Sequence, residues 1–386
     1  MANVILNDKH LTDIADAIRA KNGEATTYTP GAMAEAITNL PSGGGEPIVI
    51  TGICDYACYG QFASDVINQL GNTISTENIS SAQSMFRNST LTHIPFEINF
   101  SDETSHNLSY LFAYCSFLEE APIINNVSPK NINYLFGYCH RMRSLPEDFG
   151  LNWRTSGFLT STTSYTTNLF NSCYSLRRIP THFLSMIRGI QTSSSYHPYK
   201  ATFSSCSTLD SIEGLGVATG TLTSNMFGNT FDNCSRLQNM IFKLSKYDSD
   251  SQKWVVSEEK WKNQTIDLSV GIGYLSYSAD DMIVNYNSGI TADKRVYDDA
   301  TYQALKNDAD WFSRDKNYSR YNHDSAVNTI NSLPDTSVYL ATQSGATNTI
   351  KFLGAAGAKT DGGAINTLTE EEIAVATAKG WTVSLV

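Results

Sequence analysis

Five of the chain's seven cysteines sit inside one recurring phrase. Phe112-Ala-Tyr-Cys115 is followed by Leu118, Phe136-Gly-Tyr-Cys139 by Met142, Phe170-Asn-Ser-Cys173 by Leu176, Phe203-Ser-Ser-Cys206 by Leu209, and Phe231-Asp-Asn-Cys234 by Leu237. Three residues further on come Ala121, Leu145, Ile179, Ile212 and Met240, with proline next at Pro122, Pro146 and Pro180. A degenerate earlier copy holds Phe86, Ser89, Leu91, Ile94 and Pro95 and is one residue shorter. A unit of about 20–50 residues that recurs along a chain folds as one turn of a solenoid and is stable only when neighbours stack. The repeat therefore predicts an α/β solenoid ahead of any local assignment.

Within the phrase, Leu-x-x-Ile-Pro predicts a short strand. Phe-x-x-Cys predicts one tight turn of helix on the opposite side, its spacing turning both side chains inward. Cysteine is a small hydrophobe that is often fully buried, so stacking should align five thiols in a column beside a column of phenylalanines. Burying each phenylalanine contributes about 1.5–3 kcal/mol. The close cysteine pairs of a metal site are absent, so these five are expected to be reduced and buried. Cys54 and Cys58 lie four apart, which suits one helix face better than a zinc knuckle. No metal and no cofactor is expected.

The phenylalanine anchors at 86, 112, 136, 170, 203 and 231 are 26, 24, 34, 33 and 28 residues apart, so two turns carry extra chain. Extra residues in a solenoid turn bulge out on one side, often the binding side. The insertions at 152–167 and 188–199 mix Ser and Thr with isolated aromatics, a mixture used in antibody paratopes. Their candidate receptor-binding residues are Trp153, Phe158, Tyr165, Tyr196, His197 and Tyr199; an ordinary solvated loop is the competing reading. The strand face competes as a binding surface, and its Arg177 and Arg178 suit an acidic partner.

Charged residues make up only 17% of the chain, and the net charge is −11 with no basic stripe, which argues against a nucleic-acid partner. No apolar run approaches the roughly 18 residues of a membrane span. The first ten residues lack the basic start and apolar stretch of a signal peptide, so synthesis in a reducing cytoplasm is expected.

Residues 1–40 read as a separate helical attachment module. Leu11, Ile14 and Ile18 form one apolar stripe, and Met33, Ile37 and Leu40 form a second in a helix that Thr29 caps. Two helices this short must dock on something else. Residues 41–45 are a flexible linker. Residues 46–243 are expected to form the solenoid with an N-terminal cap, in which Ile48 to Ile50 open a sheet and Phe62, Val66 and Leu70 face inward from a helix. Residues 244–386 should continue the solenoid and close it. Strands are expected at Gln264–Val270, Thr349–Leu353 and Trp381–Val386, and helices over Ala292–Phe312, from Asp324 to Leu333, and from a capping box at Thr369–Glu372 to Gly380.

The Phe-x-x-Cys-x-x-Leu-x-x-Ile-Pro phrase, over about residues 80–243, resembles the BspA-like leucine-rich repeats of bacterial and phage surface proteins. Leu368 to Val383 looks like the end of many such proteins. Ile14 to Gly23, followed by Tyr28 to Ile37, looks like a segment common at the start of phage tail and baseplate proteins. The resemblance implies a tail or fibre protein in the virion with an adhesive role, and supplies no catalytic residues. The expected partners are other tail or baseplate proteins, met through residues 1–40, and a host-surface glycan or protein. A homo-oligomer is expected, with a trimer favoured.

No hydrolase elbow, Walker loop, H-E-x-x-H motif or EF-hand loop is present, so no enzyme activity is expected. His93 and His140 read as solvent-facing. Asp248 with Asp250, Asp280 with Asp281, and Asp298 with Asp299 could hold Ca2+, although such loop pairs are ordinarily just solvated. The alternatives to a tail protein are a bacterial surface adhesin and an enzyme that degrades polysaccharide, which needs two facing carboxylates.

Overall fold

The computed structural model describes residues 48–70, 74–102, 105–153, 166–186, 199–215, 227–234, 237–242, 246–248, 253–255, 260–269, 318–319, 321–352, 359–360 and 368–386. Strand pairing among them is local and mostly parallel. β1 (Ile48–Ile53) pairs with β2 (Ile74–Ser81), β3 (Ile98–Asn99) with β5 (Ile124–Asn125), β4 (His106–Asn107) with β6 (Pro129–Asn131), and β7 (Ser211–Leu215) with β8 (Asn239–Phe242). Five helices are described: α1 (Gly60–Leu70), α2 (Thr181–Met186), α3 (His323–Ser332), α4 (Ser337–Leu340) and α5 (Glu370–Ala378).

Successive copies of the phrase lie one above the next. The phenylalanine rings form a column, Phe86, Phe112, Phe136, Phe170, Phe203 and Phe231, with centroid separations of 5.6, 5.3, 5.8, 6.0 and 6.1 Å. The cysteines form the adjacent column. Each thiol donates to the carbonyl of the phenylalanine one copy earlier: Cys115 to Phe86 at 2.8 Å, Cys139 to Phe112 at 3.1 Å, Cys173 to Phe136 at 3.0 Å, Cys206 to Phe170 at 3.1 Å and Cys234 to Phe203 at 3.1 Å. That geometry explains the residue type. A site this tight needs a small apolar side chain, yet the thiol also fills an acceptor position that the Phe carbonyl would otherwise waste. All seven cysteines are buried and none is in a disulfide.

The expected turn of helix is not what Phe-x-x-Cys forms. The Cys115 amide does bond to the Phe112 carbonyl at 3.0 Å, a separation of three, but the residue between them, Tyr114, has φ +62°. Every copy repeats this. One left-handed column runs Gly60, Asn88, Tyr114, Tyr138, Ser172, Ser205 and Asn233, and a second, four residues earlier, runs Tyr56, Ser84, Tyr110, Tyr134, Asn168, Ala201 and Asn229. Left-handed residues cannot continue a helix. They turn their amides toward the next copy instead: Tyr110 to the Asn133 carbonyl at 2.9 Å, Tyr114 to Gly137 at 2.8 Å, Tyr134 to Thr167 at 3.1 Å and Tyr138 to Asn171 at 2.7 Å. The turn side is thus a hydrogen-bonded ladder in its own right.

The strand after each leucine is also narrower than expected in the central copies. There it amounts to single parallel bridges, Glu120 to Ser144 to Arg178, and widens to a true pair only in β7 and β8. In the first copies pairing falls after the proline, at Ile98 and Ile124.

α1 covers one end of the stack. Its buried Ser64 hydroxyl lies 2.9 Å from that of Ser89 and accepts from the Thr90 amide at 2.9 Å, while Ala63 and Ile67 add apolar contact. The side chains of Phe62, Val66 and Leu70 lie outside the described residues. Cys54 and Cys58, expected on a helix face, precede α1 in the first coil of turns: the Cys58 amide bonds to the Met85 carbonyl at 2.8 Å, which puts Cys58 at the head of the phenylalanine column.

β9 (Lys246–Asp248) pairs antiparallel with β10 (Lys253–Val255), and β12 (Tyr318–Ser319) pairs in parallel with β14 (Lys359–Thr360). At the other end β11 (Thr265–Leu268), β13 (Asn348–Phe352) and β15 (Trp381–Leu385) form a three-stranded parallel sheet in that order. α3, capped by Asn322, is tied to the stack where Thr329 donates to the Met240 carbonyl at 2.7 Å. The Thr369–Glu372 capping box opens α5, and Gly380 leaves it at φ +84°. Trp261 and Trp381 pack edge to face at 6.1 Å. The one or two helices expected over Ala292–Phe312 and the two helices of residues 1–40, with Leu11, Ile14, Ile18, Met33, Ile37 and Leu40, lie outside the described residues. Among the described residues, no helix is long and apolar enough to cross a membrane.

Candidate functional site

Two copies place tyrosine at both left-handed positions, in Tyr110-Leu-Phe-Ala-Tyr114-Cys and Tyr134-Leu-Phe-Gly-Tyr138-Cys. The coil spacing stacks the rings in two pairs, Tyr110 on Tyr134 at 4.8 Å and Tyr114 on Tyr138 at 4.5 Å, tilted by only 11° and 7°. All four are half-buried. At one end the Arg87 guanidinium sits over both Tyr110 and Tyr114, 5.2 and 5.3 Å from their centroids, where ring quadrupoles attract a cation. The Tyr134 and Tyr138 rings of one copy are nearly parallel, with centroids 6.5 Å apart and planes 6° from parallel. No such ring contact joins Tyr110 and Tyr114. Gly137 makes the difference: a Cβ there would meet Tyr134 Cδ1 at 2.6 Å, whereas the preceding copy has Ala113 at the same place.

Burial, with the neighbouring rings of Tyr138, Tyr110 and Tyr114, pushes the Tyr134 hydroxyl up to about 12. Burial, with Tyr114 and Tyr174, raises Tyr138 as well. Both hydroxyls stay protonated at neutral pH and can donate as well as accept hydrogen bonds. The result is a flat, neutral, half-exposed aromatic shelf.

The residues expected to touch a receptor divide differently. Trp153 is only 5% exposed: it donates to the Ile124 carbonyl at 3.2 Å and packs against Phe149 and Phe183. Tyr199 is 0% exposed and stacks on Phe227 at 5.6 Å. Both belong to the core, because they stand at the edges of the insertions where the chain leaves or rejoins the stack. Phe158, Tyr165, Tyr196 and His197 lie outside the described residues. His140, expected to face solvent, is buried, with its ring 4.8 Å from that of Tyr174; His93 is exposed. Sequence reasoning does not single out the four shelf tyrosines, although the phrase Tyr-Leu-Phe-x-Tyr-Cys occurs twice, 24 residues apart.

The strand face holds a cleft of about 420 Å³ lined by Glu147, Arg178, Asp210, Glu213, Gln238 and Asn239 among others. The lining carries three carboxylates and one guanidinium, a balance that disfavours the acidic partner expected for Arg178 in this cleft. Among the described residues, no group of three or more His, Cys, Asp or Glu is placed to hold a metal ion. Of the candidate Ca2+ positions, Asp250, Asp280, Asp281, Asp298 and Asp299 lie outside the described residues.

Comparison of the chain with protein-family models, curated proteins and solved structures gives no match.

Proposed function

We propose that the stacked copies are consecutive turns of a leucine-rich-repeat solenoid in a phage tail or baseplate protein, and that this solenoid presents a surface for binding a host receptor. The observation that carries the reading is the tyrosine array. A left-handed backbone position costs a non-glycine residue about 1–2 kcal/mol. Elsewhere in the same two columns five places use Gly60, Asn88, Asn168, Asn229 and Asn233, the residue types that tolerate it, and five use Tyr56, Ser84, Ser172, Ala201 and Ser205, of which only Tyr56 is aromatic. The four shelf tyrosines accept that cost, and their two stacked pairs return about 0.5–1.5 kcal/mol each. Folding alone thus gives little reason for the choice, whereas rigid half-exposed aromatics are what a recognition surface needs. The N-terminal phrase supports attachment to a particle.

Antibodies raised against the stacked region should label the tails of virions made from the encoding genome and block their adsorption to host cells. Purified virions that carry no label would overturn the reading. Host wall or capsule incubated with the purified chain should release no sugar; release would favour the polysaccharide-degrading alternative.

A further inference from the structure

The far side of the shelf forms a step. One face of the Tyr134–Tyr138 pair is covered by Tyr110 and Tyr114. The next copy, hydrogen-bonded to it through Thr167 and Asn171, has Asn168 and Ser172 at the places aligned with the two tyrosines. Their side chains are short, and among the described residues no ring stacks on the second face of either tyrosine. The step has a polar floor already linked: Asn171 Nδ2 donates to Asn168 Oδ1 at 3.2 Å, and Ser172 Oγ donates to Asn171 Oδ1 at 2.8 Å. Half-buried Tyr174 follows on the same copy, near Tyr138.

We infer that this step binds two consecutive pyranose rings of a β-1,4-linked glycan, one ring on Tyr134 and the next on Tyr138. The inference rests on the host-binding reading above and names the ligand class. A pyranose presents a flat face of C–H bonds to an aromatic ring and hydroxyls at its edge. Two neighbouring tyrosine rings with near-parallel faces, 6.5 Å apart, select a chain whose successive sugars present faces in the same direction, as in a flat β-1,4-linked ribbon, over the coiled α-1,4 form. The half-buried amides of Asn168 and Asn171, held in place by buried Ser172, can both donate and accept, which suits sugar hydroxyls. Neither wall nor floor carries a charge, and Arg87 lies at the opposite end of the stack, so nothing here favours a phosphate or an acidic peptide.

The test uses the full chain with cellotetraose, tetra-N-acetylchitotetraose and maltotetraose as probes, followed by saturation-transfer NMR and titration calorimetry. At least one β-1,4 tetramer should bind, and maltotetraose should not. Tyr134→Asn and Tyr138→Asn should each weaken binding by about three- to tenfold. Asparagine holds the same backbone places at Asn168 and Asn88, so both variants should keep the wild-type far-ultraviolet circular dichroism and a cooperative melt, the relief of the left-handed backbone offsetting much of the lost ring stacking. Tyr134→Phe and Tyr138→Phe keep the ring face and should bind within a few-fold of wild type. Failure of both β-1,4 tetramers to bind, equal binding of maltotetraose, or unchanged binding in the double asparagine variant overturns the inference. If the tetramer fails while antibodies still label tails and block adsorption, only the glycan step falls. If the tetramer binds as described but virions carry no label, the tail reading falls and the step stands.

Discussion

Gly137→Ala is a one-carbon test of how the shelf is built. At a position whose φ/ψ alanine can adopt, such a change ordinarily stabilises by about 0.4–1 kcal/mol, because the unfolded chain loses freedom. Gly137 does not have the positive φ that would forbid it. Against that gain stands contact. The new Cβ would lie 2.6 Å from Tyr134 Cδ1 and 3.2 Å from the Asn168 carbonyl oxygen. The carbonyl belongs to the neighbouring coil's backbone, so the ring is what must move. Moving it away costs its stack on Tyr110 and its near-parallel contact with Tyr138, at about 0.5–1.5 kcal/mol for each aromatic pair. The loss of about 1–3 kcal/mol outweighs the gain, leaving a net destabilisation of about 1 kcal/mol. A urea titration should show a lower midpoint at unchanged slope, and the tyrosine near-UV circular dichroism should weaken. The reasoning is refuted if Gly137→Ala is more stable than wild type with its near-UV signal intact. Tyr134 would then sit beside an alanine as comfortably as Tyr110 sits beside Ala113.

Three further outcomes follow from the core and the caps. Burial holds the Cys115 thiol up at about 12 and raises Cys58, Cys139, Cys173, Cys206 and Cys234 in the same direction; a thiol reagent at neutral pH should therefore leave these cysteines unmodified until denaturant is added, and rapid labelling of the native chain would contradict the columns. Phe136→Ala removes the ring between Phe112 and Phe170 and should cost about 3–5 kcal/mol in equilibrium unfolding; a loss below about 1 kcal/mol would mean the column collapses freely around the gap. His323 bridges α3 to α5 through Glu372 at 3.1 Å. Partial desolvation lowers its pKa, but hydrogen bonds and charge from Asp324 and Glu372 outweigh that and raise it, while the Thr369 amide and His323 hold Glu372 low. The histidine's contribution is full in mildly acidic solution and is lost as pH rises through its raised pKa; the glutamate's is lost only as pH falls through its lowered one. Wild type should lose melting temperature relative to His323→Gln between mildly acidic and mildly alkaline buffer, and parallel curves for the two would count against the bridge.

Which parts were legible in the sequence follows from what each pattern determines. The phenylalanine and cysteine columns were readable because a spacing of three, repeated at five cysteines, leaves one inward face whatever the backbone does. The helical turn was misread because that same spacing, closed by the same amide-to-carbonyl bond, fits a helix and a left-handed turn equally. Only φ at residues such as Tyr114 separates them, and tyrosine gives no hint of a left-handed backbone as Asn88 or Asn233 does. The α5 capping box and β15 were readable from Thr369, Glu372 and Gly380, since those residue types act locally. Trp153 and Tyr199 were assigned outward because Ser- and Thr-rich chain adjoins them, yet composition says nothing about which side of a boundary an aromatic falls on. The shelf depends on two copies meeting in space, so no single copy announces it.

The hydrogen-bonded turn ladder also explains how such a stack can change what it presents without changing how it folds. The amides of Tyr114, Tyr138, Ser172 and Ser205 make the same coil-to-coil bond, at 2.8, 2.7, 2.8 and 2.7 Å. Tyrosine and serine are therefore interchangeable there as far as the backbone is concerned, and Ala201 among the tyrosines and asparagines of the other column makes the same point. Below the ladder the phenylalanine and cysteine columns are nearly invariant from copy to copy and provide the packing. Core packing and surface shape are thus assigned to different residues of one short phrase. Shape at the surface then depends on which side chains neighbouring copies happen to carry at the left-handed places. Two tyrosine copies beside an asparagine–serine copy make a wall above a floor. A third tyrosine copy in place of Asn168 and Ser172 would extend the aromatic stack and fill the step, with the fold beneath it unchanged.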